Sequence, residues 1–232
     1  TPEFMDWFET LHLPDYHLEK YKGQYNLTFE GSWPEVMLWE IPVLSVLMEL
    51  RGRAVLGKMR RFELQILYAR GMAKLWEKIE RLRNIDNLRL ADFGTRRRHS
   101  FLWQDWTVQA MTEGLGEKFI GTSNCLIAKN RDLAAIGTNA HEFPMIYSAL
   151  ATTDEALRKA PYEVMSDWHE EHDGNLRVIL PDTYGTQGFL DNAPDWLAKW
   201  TGIRIDSGDP ISGAEAAIKW WKTRGEDPKK KL

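Results

Sequence analysis

The chain has 232 residues, of which 43% are hydrophobic and 28% charged. Its formal net charge is −4 with a single cysteine, Cys125. That is the composition of a folded globular protein, large enough for one large or two small domains. The charge argues against a general nucleic-acid binder, whose phosphate contacts leave an excess of Lys and Arg. One cysteine excludes an intramolecular disulfide and a Cys-based zinc site, which fits a reducing cytoplasm. No stretch approaches the roughly 18 to 20 apolar residues of a membrane span, and the first residues lack the basic-then-apolar pattern of a secretory signal. Most of the 11 tryptophans read as core anchors and helix-packing faces.

In chain order, Phe4, Trp7, Phe8 and Leu11 recur at helical spacing and predict one short helix, broken by Pro14. Tyr25 to Glu30 alternates like a strand. Gly31-Ser32-Trp33-Pro34 reads as a turn into the apolar run Val36 to Trp39, which together predict a hairpin. Pro42 to Leu50 reads as a buried helix, and Gly57 to Arg83 as a long amphipathic one with Phe62, Ile66, Leu67, Ala73 and Trp76 on one side. After Asn84 the rhythm becomes short strand, polar loop, helix. Strands are expected near 88–92, 118–121, 133–137, 176–181 and 202–205. Helices are expected near 97–114, 142–172 (interrupted at 152–154 and at Pro161), 187–200 and 212–224. This alternation implies parallel strands joined by crossovers, with a boundary near residue 85.

Four polar strings stand where strands should end: Asp92-Phe93-Gly94-Thr95-Arg96-Arg97-Arg98, Gly121-Thr122-Ser123-Asn124, Gly137-Thr138-Asn139-Ala140-His141-Glu142, and Arg204-Ile205-Asp206-Ser207-Gly208-Asp209-Pro210. Loops at the carboxyl ends of parallel strands are where a barrel places its active site. The first string offers a Gly-Thr turn, a helix start and three guanidinium forks. It suits either an anionic ligand or a helix start paired with surface acids. The second and third offer hydroxyls and close backbone approach. His141, opening a helix beside Glu142, has the setting of an acid, base or nucleophile, although a lone histidine is commonly structural. Asp206 and Asp209 share a loop with Ser207 and Gly208; they suit ribose hydroxyls, a magnesium ion carrying pyrophosphate, or a plain Asx-turn. His169-Glu170-Glu171-His172-Asp173 imitates a metal cluster, but it lacks the spacing of two histidines four apart, and no metal site is expected there.

Taken in order, the four strings resemble those of the nicotinate phosphoribosyltransferase family. The triple arginine at 96–98 separates them from the related nicotinamide enzymes. The resemblance implies an α/β fold: residues 1–85 as part of an N-terminal α/β domain with long helices, and 86–232 as part of an incomplete, irregular TIM-like barrel of the type II phosphoribosyltransferase kind. It implies the conversion of nicotinate, phosphoribosyl pyrophosphate and ATP, with Mg2+, to nicotinate mononucleotide, pyrophosphate, ADP and phosphate, the first step of NAD biosynthesis from salvaged nicotinate, in the cytoplasm. It further implies that His141 is phosphorylated by ATP with Glu142 beside it. Thr138 and Arg204 are implied to touch nicotinate, Phe93 to stack near its ring, Arg96 to serve anionic groups, Asp206 to hold ribose hydroxyls, and Ser123 and Gly208 to complete the substrate site.

Family members continue past Asp-Ser-Gly-Asp-Pro into further strands and a second phosphate loop, and begin earlier with a tyrosine that caps the ring in a neighbouring subunit. The chain is therefore expected to be a segment, to need a homodimer partner or another chain to complete the barrel, and to lack phosphoribosyl transfer alone. The alternatives are an inactive homologue that binds ligand or assembles with other chains, and a nicotinamide or quinolinate phosphoribosyltransferase.

Overall fold

In a computed structural model describing residues 2–231, the chain forms two compact units, Thr1–Ile136 and Gly137–Leu232. The boundary expected near residue 85 falls inside the first unit.

The first unit opens with helix α1 (Pro2–Glu9), as its aromatic spacing predicts. An antiparallel hairpin follows, β1 (Asp15–Tyr21) with β2 (Gln24–Glu30). Its two-residue turn, Lys22-Gly23, has φ of 48° and 81°, the double positive φ that matches strand twist. The hairpin expected between Tyr25–Glu30 and Val36–Trp39 is corrected here. Residues 33 to 39 belong to helix α2 (Trp33–Leu56), because Ser32 acts as an N-cap residue and Pro34 occupies the first turn, where no N–H is needed. The Ser32 backbone N–H donates to Glu35 Oε2 at 3.3 Å, and its hydroxyl donates to the same oxygen at 2.6 Å. The buried helix expected over 42–50 is helical but largely exposed. Ser45 is its buried residue, while Ile41, Leu44, Val46, Leu47 and Leu50 face outward.

Helix α3 (Arg61–Leu82) then leads to strand β3 (Leu90–Asp92), helix α4 (Phe101–Leu115), strand β4 (Phe119–Thr122) and helix α5 (Cys125–Arg131). β3 and β4 pair in parallel across the α4 crossover. The strand expected at 133–137 is reduced to one parallel bridge between Ala135 and Thr122. Ile79 of α3, Val108, Met111 and Leu115 of α4, Phe119 of β4 and Ile127 of α5 make the core. Gly114 permits the close approach of α3 to α4, since a Cβ there would lie 2.5 Å from Ile79 Cγ2.

The second unit contains helix α6 (Glu142–Leu150), helix α7 (Asp154–Glu171), strand β5 (Val178–Ile179), helix α8 (Thr186–Asn192), strand β6 (Gly202–Ile203) and helix α9 (Pro210–Thr223). The break expected at Pro161 does not occur. α7 runs through it, held to the core by Ala160, Val164 and Met165, so packing overrides the lost backbone bond. β5 and β6 pair in parallel around a core that includes Ile179, Leu190, Leu197, Trp200, Trp220 and Trp221. Trp220 Nε1 donates to Leu190 O at 2.8 Å, which satisfies the one polar atom of a buried indole. The tryptophan-as-core reading fits these residues, whereas Trp7, Trp39 and Trp76 are exposed.

The architecture is thus mixed α/β with parallel pairs. The described strands form three two-stranded sheets, and no closed barrel is formed among the described residues. No described helix is long and apolar enough to cross a membrane.

Candidate functional site

The two parallel strands of the second unit end in polar residues that converge on one histidine. β5 is followed by Asp182 and Thr183, and β6 by Arg204 and Asp206. His141 is the N-cap residue of α6. Its Nδ1 lies 2.9 Å from Thr183 Oγ1 and its Nε2 lies 3.1 Å from Asp206 Oδ2. A carboxylate only accepts, so Nε2 carries the proton and Nδ1 accepts from the Thr183 hydroxyl. This tautomer leaves the Nδ1 lone pair as the nucleophilic position of the ring.

Asp182 lies behind this pair, its side chain 7% exposed, with Oδ1 3.9 Å from His141 Nε2. Ser207 donates its hydroxyl to Asp182 Oδ2 at 2.5 Å, while Oδ1 has no hydrogen-bond partner. His141, Asp182 and Asp206 each present an atom within 4.8 Å of the others, the one such cluster among the described residues. Two carboxylates suit a hard divalent cation such as Mg2+, which favours oxygen, better than the imidazole nitrogen does. The buried Oδ1 of Asp182, without a hydrogen bond, is the oxygen such a cation would take.

Arg204 anchors the other side. Its Nε and Nη2 donate to Asp206 Oδ1 at 2.9 and 2.5 Å, and its Nη1 donates to Thr138 Oγ1 at 3.1 Å and Asn139 O at 3.3 Å. Burial raises the Asp206 carboxyl, but the hydrogen bonds from Arg204 and His141 and the Arg204 charge outweigh it and hold the group below its usual range. Asp206 is therefore an anion at neutral pH.

Of the other predicted residues in this unit, Glu142 stands in the first turn of α6, where the helix dipole favours a carboxylate. Gly208 has φ +78° with open space beside it, so its role is conformational. Asp209 caps α9, accepting from the Ser212 hydroxyl and backbone N–H at 2.7 and 2.8 Å, which lowers its pKa. The Asx-type reading of that residue is the one the geometry supports. Thr183 also lines an apolar cavity of about 590 Å³ walled by Pro144, Met165, Tyr184 and Phe189. The His169–His172 segment is aromatic packing: His169 Nδ1 accepts from Trp200 Nε1 at 3.2 Å, and the Trp168 ring lies 4.3 Å from that of His172, tilted by 54°.

The first two strings lie in the first unit, where a buried polar network fixes them. Asp92 Oδ2 accepts from Gln104 Nε2 at 2.7 Å and from the Thr122 hydroxyl at 2.8 Å, and Oδ1 accepts from the Gly94 N–H at 3.2 Å. Gln104 Oε1 in turn accepts from Asn124 Nδ2 at 3.2 Å, and the Ser123 N–H donates to Asp92 O at 2.8 Å. Gly121, at φ +140°, is required because a Cβ would meet Ala134 O at 2.2 Å. Arg96 pairs with Glu40 of α2, Arg98 turns toward Gln104 and the Phe101 ring, and Arg97 is exposed. Phe93 is 58% exposed.

Sequence reasoning missed Asp182, Thr183 and Gln104. Pro181-Asp182-Thr183 directly follows the apolar run Val178 to Leu180, the same pattern that exposed the other strings. Gln104, in the first turn of α4, carries no local signal.

A family model described as the nicotinate phosphoribosyltransferase (NAPRTase) family matches residues 88–232. Solved structures agree with it. A nicotinate phosphoribosyltransferase from Porphyromonas gingivalis is 28% identical, with a TM-score of 0.81 over 100% of this chain and 57% of its own. The Vibrio cholerae enzyme is 29% identical, with a TM-score of 0.83 over 100% of this chain and 55% of its own. A structure from Saccharomyces cerevisiae is 27% identical, with a TM-score of 0.79 over 96% of this chain and 56% of its own. The chain thus spans just over half the length of the structures it matches. The matched residues include every one of the four polar strings and the whole His141 cluster, and the chain belongs to the nicotinate phosphoribosyltransferase family.

Proposed function

We propose that the chain carries the phosphohistidine and nicotinate-binding part of a nicotinate phosphoribosyltransferase site, serving ATP-coupled formation of nicotinate mononucleotide in NAD salvage. The observation that carries the reading is His141 held in one tautomer between Thr183 and Asp206, with Arg204 beside them, in a member of this family.

In this reading the Nδ1 lone pair of His141 attacks the γ-phosphorus of ATP. The N–P bond forms as the bond from phosphorus to the bridging oxygen breaks, and ADP leaves with that electron pair. The Asp206 carboxylate stabilises the positive charge that the ring gains. The phosphoryl group is later released to water as phosphate. At the ribosyl centre, breaking the bond to pyrophosphate builds positive charge on the ribose while the nicotinate nitrogen forms the new bond. Arg204 and Thr138 orient nicotinate, Phe93 stacks near its ring, Asp206 holds ribose hydroxyls, and Arg96 and Ser123 serve the anionic groups. Asp182 and Asp206 would hold Mg2+, which supplies charge neutralisation for the leaving pyrophosphate.

A second reading, ligand binding without turnover, is favoured by one observation: the described strands form separate pairs and no closed barrel. Both readings need nicotinate to bind. Saturation with labelled nicotinate, competed by nicotinamide and by quinolinate, tests this; nicotinate should win by about tenfold or more, the worth of one charged hydrogen bond. Equal competition by nicotinamide would refute the carboxylate-binding role. Formation of nicotinate mononucleotide from nicotinate, phosphoribosyl pyrophosphate, ATP and Mg2+ then separates turnover from binding alone.

A further inference from the structure

The apolar cavity of about 590 Å³ in the second unit has no part in the chemistry above, yet one of its residues touches His141. Thr183 belongs to both places: it lines the cavity, and its Oγ1 lies 2.9 Å from His141 Nδ1. The Nε2 edge of the ring is taken, lying 3.1 Å from Asp206 Oδ2 and 3.9 Å from Asp182 Oδ1. Those two carboxylates are assigned above to the phosphoribosyl substrate and Mg2+. A phosphoryl donor that meets Nδ1 is therefore on the Thr183 side, where the cavity lies.

The cavity suits a heteroaromatic ring carrying an anionic tail. Its volume falls within the roughly 300 to 1,000 Å³ of small-molecule sites. Tyr162 donates its hydroxyl to Phe189 O at 3.0 Å and Tyr184 to Pro144 O at 3.3 Å, so these two walls are aromatic surface with their polar ends already satisfied. Asn192 also lines it, and an amide is the group that pairs with the N6 and N7 edge of adenine. Its Nδ2 donates one hydrogen to Gly188 O at 2.8 Å, which leaves a second N–H and the Oδ1 acceptor for a ligand. Arg158, exposed at the same wall, has no hydrogen bond or ion pair among the described residues, and a guanidinium suits phosphate oxygens.

We propose that this cavity seats the adenosine of ATP, with the triphosphate running past Thr183 to His141 Nδ1; the proposal rests on the phosphohistidine reading above. Tyr162 and Tyr184 cover the purine, Asn192 reads its amine edge, and Arg158 meets the phosphates. ATP and the phosphoribosyl substrate then approach His141 from different edges of one ring.

The test measures acid-labile label on His141 of the 232-residue chain with three labelled donors, ATP, inorganic tripolyphosphate and phosphoramidate, each with Mg2+. ATP should reach half-maximal labelling at a concentration at least about tenfold below that of tripolyphosphate, since ATP alone fills the cavity. Gly188→Leu puts a side chain into the cavity from helix α8, where a Cβ meets nothing within 4 Å and leucine is the better helix former. It should raise the half-maximal ATP concentration about tenfold or more, while phosphoramidate, which carries no nucleoside, still labels. Arg158→Gln should weaken ATP about twofold to fivefold, the range of an exposed ion pair. Equal half-maximal concentrations of ATP and tripolyphosphate on wild type, or ATP labelling untouched by Gly188→Leu, overturns the adenosine seat and leaves the phosphohistidine standing. If Gly188→Leu fails to fold by circular dichroism, the comparison of donors on wild type decides alone. Labelling of His141 by no donor overturns the phosphohistidine reading and the seat with it.

Discussion

Gln104→Leu probes the network that holds the first two polar strings together. Gln104 is 4% exposed and touches both strings, donating to Asp92 and Thr95 and accepting from Asn124 and Arg98. Leucine has nearly the same size, so the substitution removes hydrogen bonds without opening a large cavity. The lost bond to the Asp92 carboxylate contributes about 1.5 to 3 kcal/mol, and the Asn124 amide left unsatisfied costs about 1 to 3 kcal/mol. Added apolar burial offsets about 1 kcal/mol. A net loss of roughly 1.5 to 5 kcal/mol follows, read as a lower urea midpoint with an unchanged slope. Gln109→Leu is the control. Gln109 lies on the same helix but is exposed, pairing with Glu113 and Arg131, and its replacement should change stability by about 0.5 kcal/mol or less. A loss below about 1 kcal/mol for Gln104→Leu, or equal effects of the two variants, would refute the view that this network fixes the loops.

Two further outcomes follow from the first unit. Gly121→Ala forces a Cβ to 2.2 Å from Ala134 O at φ +140°, and should lower stability by roughly 3 kcal/mol or more in the same unfolding assay. The Arg131 guanidinium, bonded to Asp105 at 2.6 and 2.7 Å, holds that carboxyl below the usual carboxylate range. Such a group contributes stability above its unfolded pKa and loses it as pH falls through the folded value. Wild type should therefore exceed Asp105→Asn by about 1 kcal/mol or less at pH 7, given partial exposure, and the gap should close in acid below about pH 4. A gap that widens in acid would reverse the assignment.

The elements legible in the sequence were those where pattern and packing agree. β3, β4, α4, α7 and α9 follow from apolar spacing, because each buries one face in its own core. β1 was not anticipated: Asp15 to Tyr21 is exposed throughout, so it carries no inward-facing alternation and is held by its pairing with β2. Gly31-Ser32-Trp33-Pro34 misled because Ser and Pro serve turns and helix starts alike, and Glu35 three residues on was the deciding signal. α5 was hidden in an expected polar loop, although Asn124 is an N-cap residue whose side chain accepts from the Ile127 N–H at 3.2 Å. At the site, His141, Arg204 and Asp206 were legible as residues but their mutual contacts were not. The pairing of Arg204 with Asp206 depends on how β6 ends, and the contact between Thr183 and His141 spans 42 positions.

The central claim is that His141 accepts phosphate from ATP at Nδ1, and the most direct measurement is the mapping of acid-labile phosphate after incubation with labelled ATP and Mg2+. The account predicts label on His141, at Nδ1 as resolved by NMR of the isolated phosphopeptide, and none in His141→Asn. Label that persists in His141→Asn, or a folded wild-type chain that binds ATP yet takes no label on His141, would contradict it.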